Sequence, residues 1–207
     1  SSIGHDYFAD YESRYDFYHK VDEKLPFDLE LFNKITNGGL SRKTLNVIMA
    51  GPKVGKSMLM CHVAASTLLL GKNVLYVTME MAEERIAERI DANLLDVNLS
   101  SIRNLDKEQF SNKINRLINK TRGQLIIKEY PTSGAHAGHF KALLQDLKSK
   151  KKFTPDLIVI DYLNICSSSR VKLAAGANSY SYVKSIAEEL RGLAVEFNVP
   201  ILSATQV

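Results

Sequence analysis

The sequence predicts an α/β domain in which helices cover both faces of a mainly parallel sheet of five or more strands. Five short runs rich in β-forming residues alternate with segments of helical pattern, and this alternation is typical of parallel sheets. The runs are apolar without a regular polar alternation, as expected of strands that are covered on both sides. With 45% hydrophobic residues, the 207-residue chain can bury the core of one such domain.

The predicted elements follow one another in strand and helix order. The strands are predicted at Leu45–Ala50, Val74–Met79, Gln124–Lys128, Leu157–Asp161 and Pro200–Ala204. The helices are predicted at Ser57–Leu70, Ala82–Leu95, Lys107–Thr121, Gly138–Lys151 and Tyr180–Phe197. Gly71 follows the first of these helices and Pro200 follows the last, and both residue types are common helix stops.

Two segments fall outside this pattern. Residues 1–24 combine tyrosines with acidic side chains ahead of the first strand, so we expect an arm followed by a domain that comprises residues 25–207. A tail that folds back on its own domain fits this composition. Ser167–Asn178 mixes serine, glycine and basic residues directly after the fourth strand, which predicts a loop.

The composition favours a protein of the cytoplasm. The longest apolar stretch, Met58–Leu70, is interrupted by polar residues and is too short to cross a bilayer, so we expect no membrane partner. Residues 1–20 lack the basic start and apolar middle of a secretory signal, and two cysteines are too few for a disulfide scaffold. A formal net charge of +4 permits contact with nucleic acid but does not argue for it.

The strongest motif is a phosphate-binding loop between the first strand and the first helix. It comprises Gly51, Pro52, Lys53, Val54, Gly55, Lys56 and Ser57, and it follows Ala50, where the strict motif has glycine. The backbone N–H groups of such a loop surround the phosphates, and the next helix presents its positive N-terminal end to the same anion. We expect Lys56 to reach the β- and γ-phosphates and Ser57 to bind Mg²⁺. The residues do not distinguish ATP from GTP.

Three more polar residues follow or end predicted strands, where ligands gather in parallel sheets. Asp161 ends an apolar strand and is a candidate for holding Mg²⁺ through water. Glu80 follows another strand and could orient or deprotonate the attacking water, although it could equally stabilise the start of a helix over Met81–Leu95. Gln206 could sense the γ-phosphate, although a lone glutamine is often a surface residue.

Together these residues resemble the RecA-like ATPase core of the DnaB-type replicative helicases, and within that family its members from the T-even bacteriophages. The resemblance spans nearly the whole chain. It rests on segments that lie both outside and within the candidate site: Leu25-Pro26-Phe27-Asp28, Asn37-Gly38-Gly39-Leu40, Thr78-Met79-Glu80-Met81, Ile160-Asp161-Tyr162-Leu163, Ile186-Ala187-Glu188-Glu189-Leu190-Arg191 and Ala204-Thr205-Gln206-Val207.

The resemblance implies that Glu80 is the catalytic base and that Gln206 is the phosphate sensor. It also implies a sheet in which the second and fourth strands are neighbours, so that Glu80 and Asp161 face one nucleotide. In this family a second DNA-contacting loop and an arginine for the adjoining subunit's site come after the strand that ends in glutamine, so we expect both to follow Val207 in the complete protein.

The resemblance further implies an ATP-hydrolysing homohexamer that encircles single-stranded DNA, moves 5′ to 3′ and works in DNA replication with a primase and a helicase loader. It also implies that the segment ahead of the motor, residues 1–24, docks on the adjacent subunit, where its tyrosines would suit an interface core; a tail that folds back on its own domain is the equal alternative. Ser167–Asn178 would then be a pore loop in which Arg170 and Lys172 contact DNA phosphates, a sequence-independent and salt-sensitive contact. A solvated basic loop is the alternative.

Three other functions share the phosphate loop. A recombinase or a clock-type ATPase would have the same sheet, but Glu80-Met81 and Asp161-Tyr162-Leu163 argue against it. A small-molecule kinase should carry a second substrate pocket and usually a lid with arginine, and no segment has that pattern. A nucleotide-gated assembly module without translocation remains open.

Overall fold

The computed structural model describes residues 4–52, 55–171 and 179–206. Its five strands are β1 (Leu45–Ala50), β2 (Val74–Thr78), β3 (Leu125–Glu129), β4 (Leu157–Asp161) and β5 (Ile201–Gln206). They form one sheet in the order β1-β5-β4-β2-β3, and all four neighbouring pairs are parallel. The predicted five-stranded parallel sheet is confirmed, and so is the neighbouring position of the second and fourth strands.

Helices connect the strands and precede them. They are α1 (Tyr11–His19), α2 (Glu30–Ile35), α3 (Lys56–Leu69), α4 (Glu83–Leu94), α5 (Leu99–Ile102), α6 (Lys107–Lys120), α7 (Ala137–Lys151) and α8 (Ser179–Phe197), and a short 3-10 helix spans Leu163–Ile165. The five predicted helices correspond to α3, α4, α6, α7 and α8, with ends that differ by no more than one residue. No helix among the described residues is both long and apolar enough to cross a membrane.

The sheet separates two hydrophobic layers. Leu75 and Val77 of β2 pack in one layer with Phe140 of α7 and Leu190 of α8. The alternate β2 residues, represented by Tyr76, pack in the other layer with residues of α3 and α4. All five residues of β2 and all five of β4 are buried, because helices cover both faces of these central strands. This two-sided burial explains why their sequences show no polar alternation.

Segment 25–40 is fixed beside the core by a close backbone approach. Leu25 and Leu40 form an isolated antiparallel bridge. Gly39 has a φ of 128°, and a Cβ on it would overlap with the Leu25 carbonyl oxygen. Only glycine fits this position, since both the backbone angle and the space exclude a side chain.

The arm has one helix and buries little. Helix α1 contains no buried residue. The large aromatic residues along residues 4–24 are exposed, namely Tyr7, Phe8, Tyr11, Tyr15, Phe17 and Tyr18. The division into an arm and a domain of residues 25–207 stays a prediction.

Candidate active site

The candidate site lies at the carboxyl ends of the strands, beginning where β1 runs into the phosphate loop. Of the loop residues, Lys53 and Val54 lie outside the described part of the chain. Gly55 has a φ of 83° and immediately precedes α3, which begins at Lys56. The left-handed backbone of Gly55 suits glycine. The N-terminus of α3, which as a helix start can bind an anion, comes directly after the loop.

Asp161 ends β4 inside this site and is 1% exposed. The Tyr76 hydroxyl donates a hydrogen bond of 2.9 Å to its Oδ2 atom. Its Oδ1 atom is buried and has no hydrogen-bond partner within the described residues. Burial raises the pKa of the Asp161 carboxyl above its ordinary value, although the Tyr76 and Ser57 hydroxyls and the Lys56 ammonium favour the charged form.

The unpartnered Oδ1 atom fits a magnesium ion. A buried carboxylate oxygen without a partner is costly unless a ligand or water completes its contacts. The described residues contain no cluster of three or more His, Cys, Asp or Glu side chains that could hold a metal alone. Mg²⁺ suits such a place, because it commonly binds through one or two carboxylates together with substrate phosphates and water. Asp161 and Ser57 would hold it here.

Tyr162 joins the site although it was not among the predicted site residues. The Lys56 ammonium lies 4.1 Å from the centre of the Tyr162 ring, a cation–π contact. Burial raises the pKa of the Tyr162 hydroxyl, and the nearby Glu80 and Asp161 carboxylates raise it further. Tyr162 therefore lies among the charged groups of the site. Its signal in the sequence was its place directly after the strand-ending aspartate.

Glu80 lies in a turn that is stabilised by hydrogen bonds from the side chains of two threonines. The Thr78 hydroxyl donates to the Met81 carbonyl oxygen at 2.9 Å and accepts from the Met81 N–H at 3.2 Å. The Thr132 hydroxyl donates to the Met79 carbonyl oxygen at 2.8 Å. The Glu80 side chain is exposed and makes no hydrogen bond or ion pair with any described residue.

This position differs from that of a carboxylate at a helix start. The acidic residues in the first turn of α4 are Glu83 and Glu84, and Glu80 precedes that turn. Thr78 and Asp161 are register partners at the carboxyl-terminal ends of the neighbouring strands β2 and β4. Glu80, two residues after Thr78, therefore lies on the same side of the sheet's carboxyl-terminal end as Asp161. A free carboxylate there can accept a proton from a water beside bound phosphates.

Gln206 ends β5 next to the start of the phosphate loop. It is the register partner of Ala50. Its backbone N–H donates to Asn164 Oδ1 at 3.1 Å, and the Thr205 hydroxyl donates to the same atom at 2.9 Å. Asn164 lies in the 3-10 helix after β4, so this amide ties the Gln206 strand end to the segment that follows Asp161. No pattern in the sequence pointed to this role of Asn164.

Of the predicted DNA loop, residues 167–171 are described and lie beside α7 and α8, whereas Lys172 is outside the described residues. Arg170 is exposed and forms a long ion pair of 4.0 Å with Glu188. The stem of the loop is fixed to α8 through Glu189, which accepts from the Ser168 hydroxyl at 2.7 Å, the Ser169 N–H at 2.8 Å and the Ser169 hydroxyl. The predicted site residues Lys56, Ser57, Glu80, Asp161 and Gln206 lie at or just after the carboxyl ends of the strands, and residues 167–171 make no hydrogen bond or ion pair with them.

The known proteins that this chain resembles in sequence are DnaB-like helicases. Residues 25–207 match the family model described as "DnaB-like helicase C terminal domain". The chain is 50% identical over 210 residues to the DnaB-like replicative helicase of Enterobacteria phage T4, covering 100% of this chain and 44% of that protein. It is 28% identical over 171 residues to the replicative DNA helicase DnaB of Helicobacter pylori strain ATCC 700392 / 26695, covering 82% of this chain and 34% of that one.

Two solved structures share the fold. One is the structure of a DnaB-like replicative helicase and its interactions with primase; it has a TM-score of 0.70 at 16% identity and covers 100% of this chain and 49% of the other. The second is an ATPase domain, with a TM-score of 0.69 at 17% identity, covering 98% of this chain and 72% of that one. The chain spans less than half the length of the two curated relatives. The predicted resemblance and the RecA-like fold class are confirmed.

Proposed function

Because the chain belongs to the DnaB-like helicase C-terminal domain family, we propose that it is the ATP-hydrolysing motor of a replicative DNA helicase. The observation that supports this most is the buried Oδ1 atom of Asp161, which lacks a partner among the described residues and lies in a site with Lys56, Ser57 and Glu80. The large majority of buried polar atoms are hydrogen-bonded, and an exception commonly marks a functional role or the place of a bound ion or water.

Each residue has a distinct proposed role. The loop residues 51–55 and the N-terminus of α3 surround the phosphates, and Lys56 leaves the Tyr162 ring to bind the β- and γ-phosphates. Asp161 and Ser57 would hold Mg²⁺, which would neutralise charge on the bound phosphates. Glu80 takes a proton from the attacking water, and Gln206 contacts the γ-phosphate.

We propose that Arg170 and Lys172 contact single-stranded DNA through its phosphates. Arg170 supports this because its side chain is exposed while Glu189 fixes the stem beneath it. We propose the remaining properties by family resemblance: a homohexameric ring, movement from 5′ to 3′, primase and loader partners, and a place in the cytoplasm, which is that of the host cell if the protein is phage-encoded. The interactions of one structural relative with primase support the primase partner.

The motor role is tested by steady-state ATP hydrolysis with the longest obtainable form of the protein. Hydrolysis should require Mg²⁺ and should rise strongly when single-stranded DNA is added. DNA-independent turnover would favour the assembly module, and phosphate transfer to a small molecule would favour the kinase. Hydrolysis rates measured with GTP in place of ATP show which of the two nucleotides the protein prefers.

Direction and DNA contact need separate assays. A duplex with only a 5′ single-stranded tail should be unwound, and one with only a 3′ tail should not. Arg170→Gln together with Lys172→Gln should weaken single-strand binding and reduce its dependence on salt. Lys148→Gln in the basic end of α7 is the matched control, and equal DNA affinity for all forms would remove the proposed contact.

A further inference from the structure

Tyr76 is a polar residue in the middle of a fully buried strand. Its side chain is 0% exposed and lies in the layer shared with α3 and α4. A buried phenol hydroxyl needs hydrogen-bond partners, and this one has two. It accepts from the Cys61 thiol at 3.6 Å and donates to Asp161 Oδ2 at 2.9 Å.

This hydrogen bond makes the two oxygens of Asp161 unequal. Oδ2 is occupied by the phenol, whereas Oδ1 is buried and has no partner among the described residues. The Cys61 thiol of α3 donates to the Tyr76 oxygen and therefore does not compete for the single phenol proton, which the carboxylate accepts. The carboxylate is thereby held in one orientation before any ligand arrives.

We infer that Tyr76 is a positioning residue that presents Oδ1 of Asp161 to the magnesium ion of the bound nucleotide. The inference rests on the proposed function of this site as a magnesium–nucleotide site. Groups that hydrogen-bond a metal-holding carboxylate fix its orientation, and their loss typically weakens metal binding or activity by about 10- to 100-fold. Tyr76 performs this role from inside the core, without contact with solvent.

The test measures magnesium dependence of nucleotide binding rather than turnover. A fluorescent ADP is bound to the full-length protein first in EDTA and then at increasing Mg²⁺ concentrations. Tyr76→Phe keeps the ring and removes only the hydroxyl. It should bind the fluorescent ADP in EDTA within about twofold of the unaltered protein, while the Mg²⁺ concentration for half-maximal enhancement rises about 10-fold.

Two variants separate positioning from packing. Tyr130→Phe removes a phenol hydroxyl that makes no hydrogen bond with the described residues, and Cys61→Ala removes the thiol but keeps the bond from Tyr76 to Asp161. Both should keep the magnesium midpoint within about twofold. A Cys61→Ala midpoint shifted as far as that of Tyr76→Phe would overturn the inference, because the effect would then come from core packing.

The outcomes distinguish this inference from the proposed function. An unchanged magnesium midpoint in Tyr76→Phe overturns the positioning role while leaving the nucleotide site intact. An equal loss of affinity in EDTA and in Mg²⁺ also overturns it. If the unaltered protein binds the fluorescent ADP without any magnesium dependence, the proposed site itself is wrong and the inference falls with it. Circular dichroism and thermal unfolding verify that each variant is folded.

Discussion

Ala50 and Gln206 are register partners at the carboxyl-terminal ends of the parallel strands β1 and β5. The start of the phosphate loop, which follows Ala50, therefore lies beside Gln206. Asn164 holds this strand end through the Gln206 N–H at 3.1 Å. We predict that Gln206→Ala keeps ATP affinity, because the loop and Lys56 remain, but loses about 100-fold in DNA-stimulated hydrolysis. The measurement is ATP turnover with and without single-stranded DNA.

The matched control for this change is Gln145→Ala, since Gln145 is an exposed residue of α7 away from the site. It should behave as the unaltered protein. If Gln206→Ala retained full DNA stimulation, Gln206 would be a surface residue at a strand end.

Removing the Lys56 ammonium should weaken nucleotide binding. A charge-assisted hydrogen bond contributes about 1.5–3 kcal/mol, so Lys56→Ala should bind ATP about 10- to 100-fold more weakly. Equilibrium binding of a fluorescent ATP analogue measures this. Lys72→Ala is the control, because Lys72 is exposed and precedes β2, at the amino-terminal end of the strands and away from the candidate site. Equal weakening in both variants would mean that general charge, and not the phosphate loop, binds the nucleotide.

Glu189 should stabilise the fold in a pH-dependent way. Burial alone raises the pKa of its carboxyl, but hydrogen bonds from Ser169 and Ser168 outweigh burial and leave the pKa below its ordinary value. A carboxylate with a lowered pKa contributes stability that is present above the unfolded pKa of 4.5 and is lost as pH falls through the folded pKa.

The variant Glu189→Gln should therefore lower the free energy of unfolding at pH 7 by about 1–3 kcal/mol. The difference from the unaltered protein should shrink as the pH is lowered below 4.5 in urea unfolding experiments. Glu188→Gln is the neighbouring control, since the Glu188 side chain is 56% exposed and its contact with Arg170 is long, at 4.0 Å. A constant difference at all pH values would contradict the electrostatic account.

The arm should act in assembly rather than in folding. Helix α1 has no buried residue, so deletion of residues 1–24 should leave the unfolding temperature of the domain within a few degrees. Six exposed aromatic residues, from Tyr7 to Tyr18, suit an interface, and the deletion should reduce the size of the assembly in sedimentation. Unchanged assembly would remove the proposed subunit contact and favour a tail that folds back on its own domain.

The buried strands and the helices that cover them were predictable, because residues buried on both faces of a strand are apolar and helix ends carry recognisable stop residues. The strands β2 and β4 are covered on both faces, and their sequences are correspondingly apolar throughout. Helices α3 and α8 end shortly before Gly71 and Pro200, where the chain cannot continue a helix easily. By contrast α1 buries nothing and has no apolar stripe, so its sequence carries no periodic signal.

The site was predictable where a residue type and its place on a strand carry the chemistry. Lys56, Asp161 and Gln206 are placed by local motifs, and the parallel order of the strands brings them together. The contacts of Tyr76 and Glu189 were not predictable, since each forms a hydrogen bond with a residue at least 20 positions away in the sequence. A tyrosine inside an apolar strand hints at a buried partner but does not identify it.

The most direct test of the central claim compares ATP binding with a single turnover of bound ATP in the Glu80→Gln variant. Glutamine keeps the shape of Glu80 but cannot accept the proton of the attacking water. We predict ATP affinity within about threefold of the unaltered protein and single-turnover hydrolysis slowed by about 10²- to 10⁴-fold. Hydrolysis at the unaltered rate would contradict the account, because another group would then activate the water.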